Sequence, residues 1–112
     1  MKTRQDLIAA TLKLLNAIGA GQAPEAEDFE EIDRIIDGKL AELNEQDIYW
    51  SSDTQNFEDK FIDPLATILG DEAAPSFGQA RSEERVATAI MRIRAMKPST
   101  YVSGSPLAVD YF

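Results

Sequence analysis

The residues of this chain whose types could do chemistry are its carboxylates. Asp71-Glu72 and Glu83-Glu84 are adjacent acidic pairs, and two carboxylates can act as acid and base in glycoside hydrolysis. Neighbours on a helix diverge by about 100°, so such a pair converges only if other helices bring further acids to it. Asp53 opens no EF-hand, because the required Asp, Asn and Gly pattern does not follow it. Gly19 and Gly21 form a GxG, but it follows a helical pattern rather than a strand and lacks a third glycine, so it reads as a helix stop. The sequence has no cysteine and no histidine. That removes disulfides, thiolate nucleophiles, thiolate or imidazole metal ligands and histidine acid–base chemistry together. No Walker loop or GxSxG is present. The reading is a non-enzymatic protein with no catalytic residue, no cofactor and no metal site.

With 112 residues, 44% of them apolar, the chain has the size of one domain with a modest core. No apolar run approaches the length of a membrane span. Lys2 and Arg4 ahead of Leu7-Ile8-Ala9-Ala10 imitate a signal peptide, but Asp6, Lys13 and Asn16 interrupt the apolar stretch and its spacing is amphipathic. The net charge of −9 is unevenly placed: residues 1–78 carry −11 and residues 79–112 carry +2. An acidic body is a poor independent binder of DNA. It suits solubility, or a surface that meets DNA by repelling it.

Four helices are expected. Thr3-Arg4-Gln5-Asp6 has the form of a capping box, and Leu7, Ile8, Leu12, Leu15 and Ile18 follow as one stripe. A second helix is expected from about Pro24 to Leu43, with Phe29, Ile32, Ile36, Leu40 and Leu43 buried. Its first two turns carry Glu25, Glu27, Asp28, Glu30 and Glu31, where the helix dipole favours negative charge. Glu30 and Arg34 are spaced to pair, and Gly38 is either a close-approach point or a surface glycine. Residues 44–56 connect onward, with Ile48-Tyr49-Trp50 read as a short extended piece that caps the core or faces a neighbour.

The third helix is the most apolar. Phe57, Phe61, Leu65, Ile68 and Leu69 share its face, Pro64 implies a kink or a restart, and Ala73-Ala74-Pro75-Ser76-Phe77-Gly78 ends it. A fourth helix spans 80–97, with Val86, Ala89, Ile90, Ile93 and Met96 inward and Pro98 as its stop. Arg81, Arg85, Arg92 and Arg94 along it suit a solvated face or an acidic neighbour better than phosphate. Residues 99–112 carry no helical signal but are too apolar for an ordinary disordered tail. They either fold back or add to a partner as an extended strand, and the partner is favoured. The fold class is therefore all-α: a small four-helix domain (1–98) with an extended C-terminal arm (99–112).

The opening Lys2-Thr3-Arg4-Gln5-Asp6-Leu7-Ile8, the run Leu40-Ala41-Glu42-Leu43 before Ile48-Tyr49-Trp50, and Ala74-Pro75-Ser76-Phe77-Gly78 before an arginine-bearing helix and an aromatic-ended tail carry a resemblance. In this order the chain resembles the small helical adaptor proteins of bacteriophage head-to-tail connectors, also called head-completion or packaged-DNA-stabilisation proteins. The resemblance spans nearly the whole chain, in order and shape more than in any single motif. It implies a virion protein, assembled in the host cytoplasm, that forms a ring beneath the portal, typically of twelve copies. Such a ring extends the DNA channel and gives tail or nozzle proteins their docking platform.

The partners implied are the portal protein, tail proteins and further copies of the chain. Packaged DNA would pass without sequence-specific binding, and no membrane is involved. The resemblance assigns portal contact to Tyr101, Val102, Leu107, Val109, Tyr111 and Phe112 of the arm. Tyr49 and Trp50 become a candidate neighbour or tail interface, and Glu27, Glu30, Glu31 and Asp33 a candidate acidic channel or ring face. Two other readings compete. One is a small acidic interaction or regulatory module that binds a basic partner and forms no ring. The other is a carboxylate hydrolase, which needs acids from different helices to converge.

Overall fold

Thr3 sets where the chain becomes helical. Its hydroxyl accepts from the Asp6 N–H at 3.2 Å, while the Asp6 carboxylate accepts from the Thr3 N–H at 2.8 Å. This reciprocal box satisfies two amides at the start of α1 (Arg4–Leu14). The computed structural model describes residues 2–15, 25–50 and 53–96. Ile18, the stop expected at Gly19-Ala20-Gly21, Pro24, Pro98 and the arm Ser99 to Phe112 lie outside the described residues.

Three more helices follow: α2 (Ala26–Glu45), α3 (Asp59–Ala73) and α4 (Glu83–Ala95). A 3-10 turn, Ala74–Phe77, extends α3 and closes on Gly78, whose φ of 73° is left-handed. The two strands hold two residues each. β1 (Lys2–Thr3) pairs antiparallel with β2 (Asn56–Phe57), Lys2 opposite Phe57, and the Arg4 N–H adds a bond to the Gln55 carbonyl at 2.9 Å. The fold is all-α, with a minimal ribbon tying the start of α1 to the start of α3.

The core forms around α3, against which α1, α2 and α4 all pack. Phe61, Leu65, Ile68 and Leu69 of α3 are buried, as are Leu7, Ile8, Leu12 and Leu15 of the first helix and its C-cap. Ile32, Ile36, Leu40 and Leu43 of α2 complete the cluster, with Phe29 packed at its edge. Thr11 is fully buried, and its hydroxyl bonds back to the Leu7 carbonyl at 2.9 Å, so no polar atom is stranded there. From α4, Ala89 and Ile93 are buried, with Val86, Ile90 and Met96 at the edge of the cluster.

The structure corrects several sequence expectations. Phe57 belongs to β2, not to the third helix, although it is buried as expected. Pro64 marks no restart: α3 begins at Asp59 and runs through the buried proline to Ala73. The second helix starts at Ala26 and continues two residues past Leu43, and the fourth begins at Glu83 with Ser82 as N-cap. Arg34 pairs with Glu31, one turn away at i,i+3, and not with Glu30. Of the two readings of Gly38 the surface glycine holds, because a Cβ added there would meet nothing within 4 Å.

Two predictions follow from this local chemistry. Gly38→Ala removes backbone freedom without a steric conflict and should stabilise the protein by about 0.5–1 kcal/mol in urea unfolding. Hydrogen bonds from the Thr3 N–H and then its hydroxyl hold the Asp6 carboxyl below the usual aspartate range. The box therefore contributes fully above the ordinary aspartate pKa and is lost as pH falls through the lowered one. An NMR titration of Asp6 should show a midpoint below the aspartate reference, and Thr3→Ala should move it back towards that reference.

Candidate functional site

The end of α2 decides what Tyr49 and Trp50 can do. Asp47 takes a left-handed φ of 57°. The Asp47 N–H reaches the Asn44 carbonyl at 3.1 Å and the Ile48 N–H reaches the Leu43 carbonyl at 2.9 Å. These are the two bonds of a Schellman cap, which folds the residue after the turn back onto the helix. Ile48 and Tyr49 are consequently buried, and the Tyr49 ring meets Phe61 edge-on at 5.1 Å between centroids. Trp50 is 64% exposed. The expected aromatic pair is thus divided: Tyr49 caps the core, and Trp50 alone is presented outward.

The four acids expected to share a face on α2 also divide. Asp33 is drawn towards α1, where its Oδ1 accepts from Arg4 Nε at 2.6 Å. Glu31 turns the other way, pairing with Arg34 and accepting from the Ser76 hydroxyl at 3.2 Å. Glu27 and Glu30 are exposed, and neither has a cationic partner among the described residues.

Arg4 is the centre of the α1–α2 contact. Besides Asp33, its guanidinium reaches Asp37 Oδ1 at 2.9 Å, the Asp33 carbonyl at 3.0 Å and the Thr54 carbonyl at 3.3 Å. The side chain is only 12% exposed. Burial works against its charge, yet the hydrogen bonds to Asp37 and Asp33 outweigh it and hold the guanidinium above its ordinary pKa. No sequence signal marked this role, since partners 29 and 33 positions away are invisible to local periodicity.

The acids of the pair Asp71-Glu72 are held by different partners. Asp71 accepts from the Ser82 N–H at 2.5 Å. Glu72 bridges Lys39 at 3.2 Å and Arg81 at 3.0 Å, linking α2, α3 and the approach to α4. Glu83 and Glu84 sit in the first turn of α4, where the dipole favours them. Among the described residues no three carboxylates gather as a metal site would require, and no helix is long and apolar enough to cross a membrane.

Where α1 ends, a groove opens between it, α3 and α4. One part, of about 220 Å³, is lined by Leu14, Gly70, Asp71, Gln79 and Arg85. A contiguous part of about 260 Å³ shares Thr67 and Arg85 and adds Glu84, Thr88, Ala89 and Arg92, so acids and arginines line the groove together. Its walls are fixed by the Gln79 side-chain amide, which donates to the Leu15 carbonyl at 2.6 Å, and by the Asp71–Ser82 bond. Leu14 is 55% exposed beside it. Arg85, Arg92 and Arg94 have no acidic partner among the described residues, unlike Arg4, Arg34 and Arg81.

The portal-contact residues Tyr101, Val102, Leu107, Val109, Tyr111 and Phe112 lie outside the described residues. No protein-family model, curated protein or solved structure matches the chain.

Arg4→Gln should destabilise the domain by about 1–3 kcal/mol, the range for removing charge-assisted hydrogen bonds at a partly buried site. Arg4→Lys should recover only part of that, because an ammonium cannot span two carboxylates and two carbonyls as a guanidinium does. Chemical denaturation of the three proteins under one buffer condition checks the order.

Proposed function

We propose that this chain is a structural adaptor of a phage virion, forming a ring beneath the portal that extends the DNA channel and receives the tail. The observation that supports it is the division of charge over a small helical body. Helix α2 (26–45) bears eight acids against two bases, and much of that charge faces solvent.

Helical geometry puts Glu27 and Glu45 on the side of α2 opposite its buried stripe, and both are exposed. In the ring this side of α2 faces the channel. Carboxylates there repel passing phosphates within about a Debye length, roughly 8 Å at physiological salt. DNA then slides through without adhering. Trp50 is the kind of large exposed side chain that anchors protein contacts, and it serves the tail side. The apolar arm, residues 99–112, reaches the portal and links this chain to it.

The test is to mix the full chain with the portal ring of its own phage and measure the mass of the product by light scattering. A stoichiometric ring on the portal is expected. A variant ending at Pro98 should keep the helical circular dichroism of the full chain yet fail to dock, whereas Trp50→Ser should dock on the portal and lose tail attachment. Portal binding retained by the shortened chain would remove the role given to the arm. A chain that ignores the portal and captures a basic partner would instead be the acidic interaction module.

A further inference from the structure

The groove between α1, α3 and α4 is balanced in charge and largely spent in its hydrogen bonding. Of the ionic side chains that line it, Asp71 and Glu84 are acids and Arg85 and Arg92 are bases. The Thr67 hydroxyl donates to the Asp63 carbonyl and the Thr88 hydroxyl to the Glu84 carbonyl, each at 3.0 Å. The Gln79 amide and the Asp71 carboxylate are taken up by the Leu15 carbonyl and the Ser82 N–H. What stays open, besides the exposed Glu84, Arg85 and Arg92, is hydrocarbon. Two of the three large apolar side chains exposed among the described residues stand on or beside this groove. Leu14 lines one end of it. Met91, 70% exposed, is three residues from Thr88 and four from Ala95 on one side of α4, so it carries the apolar surface past the groove's edge.

Balanced charge gives a strongly charged partner no net advantage, because each unlike contact is offset by a like one. The occupant that fits is apolar and nearly neutral. Residues 99–112 have that character: half are apolar, and Asp110 is the single charged side chain among them, in a chain of which 28% is charged. Met96, the last described residue, is packed at the core edge one turn beyond Arg92, so the chain leaves the fold at the α4 end of the groove. From Arg92 back to Arg85 is about 10 Å at 1.5 Å per residue, and fourteen residues span at most about 46–50 Å. The segment therefore reaches the whole groove, Leu14 included. Pro98 opposes continuation of α4. The groove between α1 and α2 suits the segment less, since Asp6 and Glu30 line it with no base and would oppose Asp110.

From this we infer that in the free subunit the α1–α3–α4 groove is occupied by the chain's own arm, residues 99–112, whose apolar side chains cover Leu14 and Met91. A tethered segment meets its groove at an effective concentration on the order of millimolar, which a second copy in dilute solution does not match. The inference goes beyond the adaptor reading by giving the arm a place before any partner takes it, and it stands on the groove and the arm alone. Where the adaptor reading holds, portal and groove compete for one arm.

The chain has no native cysteine, so Ser105→Cys in the full chain carries a single nitroxide in mid-arm. In isotope-labelled protein the nitroxide should weaken the amide signals of Thr67, Gly70, Thr88 and Arg92 more than those of Ala26 and Phe29 in the other groove. In a mixture of isotope-labelled chain without the nitroxide and unlabelled chain with it, the weakening should vanish, because the contact lies within one molecule. Leu14→Asp with Met91→Asp, both at exposed positions, should keep the helical circular dichroism and lose the weakening. The same variant should dock on the portal at a several-fold lower concentration than the parent, its arm being free.

Weakening spread evenly over the fold, or strongest at Ala26 and Phe29, would overturn the inference. So would weakening that survives in the mixture, which makes a second copy the occupant, or weakening indifferent to Leu14→Asp and Met91→Asp. A groove that holds the arm on a chain that ignores the portal would sink the adaptor reading and leave this inference standing. Portal docking by a chain that shows no weakening when free would do the opposite.

Discussion

The Arg4 guanidinium ties three parts of the chain to one another through charge-assisted hydrogen bonds. A cation that is nearly nine-tenths buried must find anions and carbonyls or remain costly. Arg4 finds Asp33 and Asp37 on α2 and the Thr54 carbonyl just before β2, while its own backbone N–H reaches the Gln55 carbonyl. One residue therefore fixes the start of α1, the middle of α2 and the two-residue ribbon. With those three in place, Leu7 and Ile8 face Phe57 and the rest of the core as a single apolar cluster. The same contact sets one cation between two acids of α2, so their mutual repulsion is offset at the point where the helices meet.

The charge that such contacts leave over shapes the surface as much as the core shapes the interior. Glu31 is occupied by Arg34 and Ser76, and Glu72 by Lys39 and Arg81. Carboxylates and cations that might have formed a site are spent on joining elements. Among the described residues the ions left without an opposite partner include acids near the start of α2 and, on α4, both Glu83 and Glu84 and the arginines Arg85, Arg92 and Arg94.

Much of this was legible in the sequence, and the misses have specific causes. The capping box at Thr3 and Asp6 and the apolar stripes of all four helices are short-range patterns, and the structure keeps them over the described residues. Phe57 reads as part of the third helix because a buried residue two positions before α3 continues its three-four spacing by coincidence. Whether Tyr49 caps the core or faces a neighbour stays open in the sequence, because the Schellman cap that turns it inward depends on Asp47 adopting a left-handed φ. Glycine announces that conformation, and aspartate does not. The groove at Arg85 and the node at Arg4 join residues far apart in the chain, where periodicity carries no information.

Helix α4 packs principally on α3, and its first residues are moored by the Ser82 cap and the single bond from Ser82 to Asp71. An element with one packed neighbour is the natural unit of sub-global opening, detaching at a lower free energy than the rest of the fold. Amide exchange along α4 should accordingly run ahead of exchange in α1 and α3 while the remaining three helices stay closed. A partner surface laid over α4 would act as a second neighbour, and its binding free energy would then add to the stability of that helix.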